Sequence, residues 1–372
     1  MFDVRAFCGN PALVRKGRHG KAPAYDDFVP RPFRLSLSLR GPALATFALT
    51  AALWGEAGAA QPLGARRAEL PAALQIAGPA FGVSLEIEVL DLPRATAEKA
   101  LQAAWDVVVQ AERELAGLAS PARTGRVTLS ADLFALVSRA SSFCTWSDGA
   151  CGPTGGAVYR LWAEGAAGGA LPTPDRLEAA AASTKCSRLT LVAETRQVEL
   201  AAGSELDLRG FARGWAVDLA VRSLVEAGAG NLRVTLGPVT RGVGSGPAGA
   251  GWPIALPTLS ASGNPASRVL LLDQAIAVAD PALATFTIAG ERILPAFDLR
   301  SGRPATGVSS VVAVTTLAAD AEPLALAMSV LGANGGQLRL GSLRPKPSVL
   351  WLLGAGDTAV VASSNWSAIR KP

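Results

Sequence analysis

The chain has 372 residues, 49% of them hydrophobic and 17% charged, with a net charge of +5, which supplies a sizeable core for one large or two ordinary domains and excludes a mostly disordered chain. The basic excess sits near the N-terminus, in Arg15, Lys16, Arg18, Lys21, Arg31, Arg34 and Arg40, and no later Lys/Arg run is interleaved with aromatics, so a nucleic-acid partner is not expected. The single histidine, His19, precedes the expected mature protein, which excludes His-based triads, His-ligated metals and imidazole acid–base catalysis.

Residues 1–30 are polar and carry Pro and Gly, a leader that a start codon placed too far upstream would explain. Arg31, Arg34 and Arg40 then precede an apolar run from Pro42 to Trp54 and the small residues Ala57, Gly58, Ala59 and Ala60. This is the order of a secretory signal over 31–60. The run is short of the about 20 residues a membrane span requires, and its alternative is a buried apolar helix. The expectation is an exported, periplasmic protein, with membrane contact only through export or a retained signal anchor. A polar linker over 61–75 leads to a folded region over 76–365.

The stretch AFGVSLEIEVLD alternates apolar and polar residues and predicts a half-buried strand from Phe81 to Asp91. Ala100, Ala103, Ala104, Val107, Val108, Ala111 and Leu115 recur at helical spacing, predicting an amphipathic helix from Ala95 to Leu118. A second helix is expected from Ser130, as N-cap, to Phe143, with Leu133, Leu136, Val137 and Ala140 facing inward. LTLVAE and RQVELA, within 189–202, read as a hairpin. A helix from Ala212 to Ala227 stops at Gly228, and NLRVTLG, 231–237, follows as a strand. Further strands are expected at Val269 to Leu272, Ala275 to Ala279, Thr285 to Ile288, Val311 to Thr316 and Val349 to Leu353, with a helix from about Ala321 to Leu331. The succession is α+β: mixed sheets with packed helices in a single large domain.

Of the cysteines expected in the mature protein, Cys144, Cys151 and Cys186, two can pair in an oxidising compartment and leave one free, and the spacing does not say which. Without histidine they make a poor zinc set. No GxGxxG follows a strand and no Walker A loop is present, so Rossmann and P-loop sites are unsupported.

LDLRGFARGWAVD, 206–218, carries the most specific signal: a strand running into a glycine-containing turn and a helix, which leaves backbone N–H groups free to approach a phosphate. It resembles the LDLGGIAKGYAVD stretch of the ApbE family, the FAD:protein FMN transferases, with Arg213 where that family has Lys. GPAFGVS (78–84), SDGACGPTGG (147–156), TLGPV (235–239) and the segment 275–307 follow the family's landmarks in order. Phe81 replaces Met, Val83 Thr, Cys151 Phe, Gly152 Asp, Val239 the acid and Pro295 the His.

The resemblance implies an ApbE-like, T-fold-related domain that cleaves FAD and transfers FMN to a Thr or Ser of a target flavoprotein with the help of Mg2+. It places Arg213 on the diphosphate, Asp298 as acid/base or orienting group, and Phe81, Ala150, Cys151, Gly152, Arg213 and Asp298 around the flavin. The magnesium would take Glu322 and the carbonyl of Gly210, while Leu326 stands where the family has a ligating Thr and Asp320 is a nearby substitute acid. The alternatives are a catalytically inactive flavin- or partner-binding protein and an exported structural domain.

Overall fold

The computed structural model describes residues 73–118, 125–256, 268–280, 286–288, 290–293, 295–353, 359–366 and 369. The expected leader, the expected signal segment and most of the expected linker lie outside them.

The fold opens with a hairpin, β1 (Leu74–Ala80) and β2 (Val83–Val89), rather than the single strand predicted from Phe81. The turn falls on Phe81 and Gly82, both left-handed at φ 48° and 59°, the two-residue turn whose twist matches the strands it joins. α1 (Arg94–Leu118) follows as expected and buries Ala97, Ala100, Leu101, Ala104, Trp105, Val108, Ala111 and Leu115 along one face. After β3 (Gly125–Thr128), Ser130 caps α2 (Ala131–Trp146), its side chain accepting from Leu133 N–H at 3.3 Å.

Two helices that periodicity did not reveal come next, α3 (Gly156–Gly168) and α4 (Pro174–Ala182). The predicted hairpin forms as β4 (Leu189–Val192) and β5 (Gln197–Leu200), with β5 also pairing with β3. The rest of the chain runs through α5 (Arg209–Glu226), β6 (Leu232–Leu236), β7 (Val239–Val243), β8 (Trp252–Ala255), β9 (Arg268–Leu271) and β10 (Gln274–Ala279). Short pairs β11 (Phe286–Ile288) with β12 (Glu291–Ile293) and β13 (Phe297–Asp298) with β14 (Arg303–Pro304) precede β15 (Ser310–Thr315), α6 (Ala318–Leu340), β16 (Ser348–Leu353) and β17 (Ala359–Ala362). α6 is broken at Gly332, whose φ of 65° and ψ of 179° are not helical, close to the expected end at Leu331.

One eight-stranded sheet, in the order β1-β2-β6-β7-β10-β15-β16-β17, organises the described residues, and its ladders are antiparallel. Both faces are covered, which is why its central strands read as unbroken apolar runs. Val311 and Ala313 of β15 and Val349 and Trp351 of β16 face α1, α5 and α6 in the main core. Val312, Val314, Leu350 and Leu352 point the other way, against Trp252, Leu271 and Trp366. A third cluster, Val158, Leu161, Trp162, Leu177, Ile288, Ile293, Phe297 and Leu299, joins α3 and α4 to the β11–β14 segment. The N-terminus of α5 emerges between the first and third clusters. No helix of the described residues is long and apolar enough to cross a membrane.

Candidate functional site

The motif 206–218 builds three carboxylate contacts around α5. Asp207 Oδ1 accepts from Arg209 N–H at 3.0 Å and Nε at 2.7 Å, and Oδ2 accepts from Arg209 Nη2 at 2.7 Å. The Arg209 guanidinium is thereby held over the Tyr159 ring of α3. Burial alone would raise the Asp207 pKa, but the Arg209 charge and hydrogen bonds outweigh it and hold the carboxyl below its ordinary value.

One turn further, Arg213 Nε donates to Glu322 Oε1 at 2.7 Å and the Gly214 N–H donates to Glu322 Oε2 at 2.9 Å. Glu322 is 3% exposed. The contact depends on a glycine: a Cβ at 214 would overlap the Ala318 carbonyl, so only Gly lets α5 come close enough to α6 for its N–H to reach the carboxylate. At the motif's end, Asp218 accepts from the N–H groups of Ala318 and Ala319 at 3.1 and 2.9 Å and from Arg241 Nη1 at 2.6 Å. It anchors the start of α6. Burial raises its pKa above the ordinary value, with Arg241 and the two amides offsetting only part.

The first turn of α5 borders a cleft of about 260 Å3. Of the residues expected at a site, Phe81, Cys151, Gly152, Gly210 and Arg213 line it. Phe81 gets there through the left-handed turn, a conformation that a bulky residue adopts at a cost of about 1–2 kcal/mol. Ala150 is buried behind the wall, its carbonyl accepting from Leu299 N–H at 3.1 Å. Asp298 is turned aside: its carboxylate accepts from Arg300 N–H at 3.0 Å and from Nε and Nη2 at 2.8 Å, and its neighbours Phe297 and Leu299 line the cleft in its stead. Sequence reasoning missed Tyr159, Asp207, Arg209, Asp280 and Phe297, which also line it. The one available signal was Arg209 itself, a charged residue where the resembling motif has glycine.

Among the described residues Cys151 is the free thiol, and a disulfide joins Cys144 to Cys186. Burial pushes the Cys151 thiol up to about 12, with Asp298 adding to the shift and Arg300 opposing it, so it is inert as a nucleophile. Gly152 lies directly against the disulfide: a Cβ there would come within 2.6 Å of Cys144 Sγ.

The carboxylates expected to hold magnesium are already paired within the protein. The Glu322 carboxylate is already engaged by Arg213 and Gly214. Leu326 sits on Gly210, with its Cδ1 2.7 Å from where a Cβ on that glycine would lie, and Asp320 is held by Arg139 of α2 through both oxygens at 2.6 Å. No three Asp, Glu, His or Cys side chains among the described residues are placed to share an ion. These residues do not fit a Mg2+, which demands a near-octahedral shell of oxygens.

A more open hollow of about 780 Å3 lies on the far side of Leu299, bordered by α4 and Cys186, and holds none of the expected site residues. The α5 cleft is the one of the two that gathers expected site residues.

The sequence profile of the ApbE family matches residues 81–348. The FAD:protein FMN transferase of Treponema pallidum (strain Nichols) is 30% identical over 246 residues, 61% of this chain and 68% of the relative. That of Vibrio cholerae serotype O1 is 26% identical over 281 residues, 71% of this chain and 83% of the relative. Among solved structures, the ApbE protein of Thermotoga maritima superposes with a TM-score of 0.69 at 21% identity, covering 81% of this chain and all of its own. The flavin transferase ApbE of Vibrio cholerae superposes at 0.68 with the same identity, covering 80% of this chain and 99% of its own. These two likenesses establish the fold, and the profile, matching from the Phe81 turn through α5 and α6 to the start of β16, places the chain in the ApbE family.

Proposed function

We propose that the chain binds FAD in the α5 cleft and transfers its FMN half to a Thr or Ser hydroxyl of a target flavoprotein. The observation that carries this reading is the meeting of two arginines, Arg209 and Arg213, with the aromatic and apolar side chains of Phe81, Tyr159, Phe297 and Leu326 in one cleft. Such a wall suits a planar ring, and guanidinium forks suit the diphosphate attached to it. The relatives from Treponema pallidum and Vibrio cholerae supply the donor by their names.

In this reading the acceptor oxygen attacks the phosphorus of the FMN half and the bond to the bridging oxygen breaks. AMP leaves with that oxygen, and the hydroxyl proton goes to the Asp280 carboxylate at the cleft. Positioning and charge stabilisation carry most of such a transfer, and Arg209 and Arg213 provide both. Export completes the reading: the order of residues over 31–60 and the Cys144–Cys186 disulfide both suit an oxidising compartment.

A second reading, a protein that holds FAD without transferring it, is favoured by Pro295 and Leu326, apolar residues in the cleft where the resemblance has a His and a Thr. One experiment separates them. The purified chain is incubated with FAD and a flavoprotein domain bearing an acceptor Thr, and the domain is examined by mass spectrometry alongside AMP release. Covalent FMN with matching AMP supports transfer; FAD retained with neither product leaves the holding role.

A further inference from the structure

Where the resemblance asks for a divalent cation, between the first turn of α5 and the start of α6, both candidate carboxylates are already engaged. Glu322 binds Arg213 and the Gly214 N–H, Asp320 faces α2 through Arg139, and Leu326, which cannot ligate, packs beside Gly210. At the same place the chain has gained a charge: Arg209 stands where the resembling motif has its first glycine, and it lines the cleft with Arg213.

We propose that Arg209 and Arg213 supply the positive charge that a cation would, so that this chain holds its nucleotide diphosphate without a divalent metal. The proposal rests on the nucleotide reading above. Each guanidinium is fixed by a carboxylate and keeps donors in hand. Arg209 gives Nε and Nη2 to Asp207, and Arg213 gives Nε to Glu322, out of the five N–H donors a guanidinium carries. The carboxylates fix the two planes before any ligand arrives, which lowers the ordering cost of binding. Leu326 places beside Gly210 a methyl group that cannot ligate, and the cationic groups that line the cleft here are the two arginines.

The test is calorimetric titration of the full chain with FAD, first in EDTA and then in millimolar Mg2+, on the wild type and on Arg209→Gly. The expected result is an affinity that agrees within about twofold in the two buffers, and an about tenfold loss in Arg209→Gly that Mg2+ does not restore. Affinity that rises about tenfold or more with Mg2+ in the wild type would overturn the proposal while leaving the nucleotide reading intact. Absence of binding in both buffers would overturn both.

Discussion

Arg213 and Glu322 lie 109 residues apart and hold each other at 2.7 Å, with Glu322 almost fully buried and Arg213 facing the cleft. The pair is a strut between α5 and α6 as well as a part of the cleft wall, because the same carboxylate also takes the Gly214 N–H. Removing one partner of such a pair leaves an uncompensated buried charge or donor.

Glu322→Ala is therefore expected to destabilise the fold by about 3 kcal/mol, read as a lower urea midpoint at unchanged slope. The double variant Arg213→Ala/Glu322→Ala should lose less than the sum of the two single variants, since neither partner is then stranded. Strictly additive losses would show that the pair contributes nothing as a pair.

Gly152 faces the disulfide, and the sulfur it faces is tethered at both ends, so it cannot swing away from a new side chain. Gly152→Ala is expected to cost about 1–3 kcal/mol by overpacking, and Gly152→Asp, the residue of the resembling motif, more. Thermal unfolding of the two variants checks this; an alanine variant as stable as the wild type would mean that the loop yields freely. The Cys144–Cys186 disulfide thus leaves no room for an acid at 152 without a shift of the loop.

Arg209 contributes to the cleft through its own charge and through the Tyr159 ring beneath it. Arg209→Ala is expected to weaken FAD binding about tenfold, about 1.4 kcal/mol. Arg209→Lys should recover only part, because an ammonium lacks the planar fork that fits both Asp207 and a phosphate. Full recovery by Lys would reduce the role to point charge.

What the sequence made legible was whatever has a period or a motif. α1, α2, α5 and the apolar strands of the main sheet show their spacing, and residues 206–218 show the turn that leads into α5. The opening hairpin did not show, because Gly78 and Pro79 interrupt the alternation of β1 and Phe81 hides a left-handed turn behind a bulky side chain. α3 escaped because Gly156, Gly165 and Gly168 dilute its apolar face, and with it went Tyr159. The roles given to Asp298 and Glu322 came from resemblance, and in both cases a nearby arginine, Arg300 or Arg213, binds the carboxylate. The Arg213–Glu322 pair joins elements 109 residues apart and has no signature in spacing, while Arg300 stands two residues from Asp298 and nothing in the pattern says that it folds back onto that carboxylate.

The two aspartates of the 206–218 motif should titrate against each other. Asp207 is held below its ordinary value in the fold, so it adds stability that is present above that value and lost as pH falls through its lowered pKa. Asp218 is raised, so its contribution is present below the ordinary carboxylate range and is lost as pH rises through its raised pKa. Urea midpoints measured from pH 3 to pH 7 should therefore fall less steeply on the acid side, below about pH 4, in Asp207→Asn than in the wild type. In Asp218→Asn the change should have the opposite sign, with the variant gaining on the wild type as pH rises from about 4. The slopes decide the matter rather than the absolute values, since Asn at 218 keeps an acceptor for the α6 amides but loses its ion pair with Arg241. Curves that stay parallel to the wild type in both variants would mean that neither carboxylate changes its proton affinity on folding.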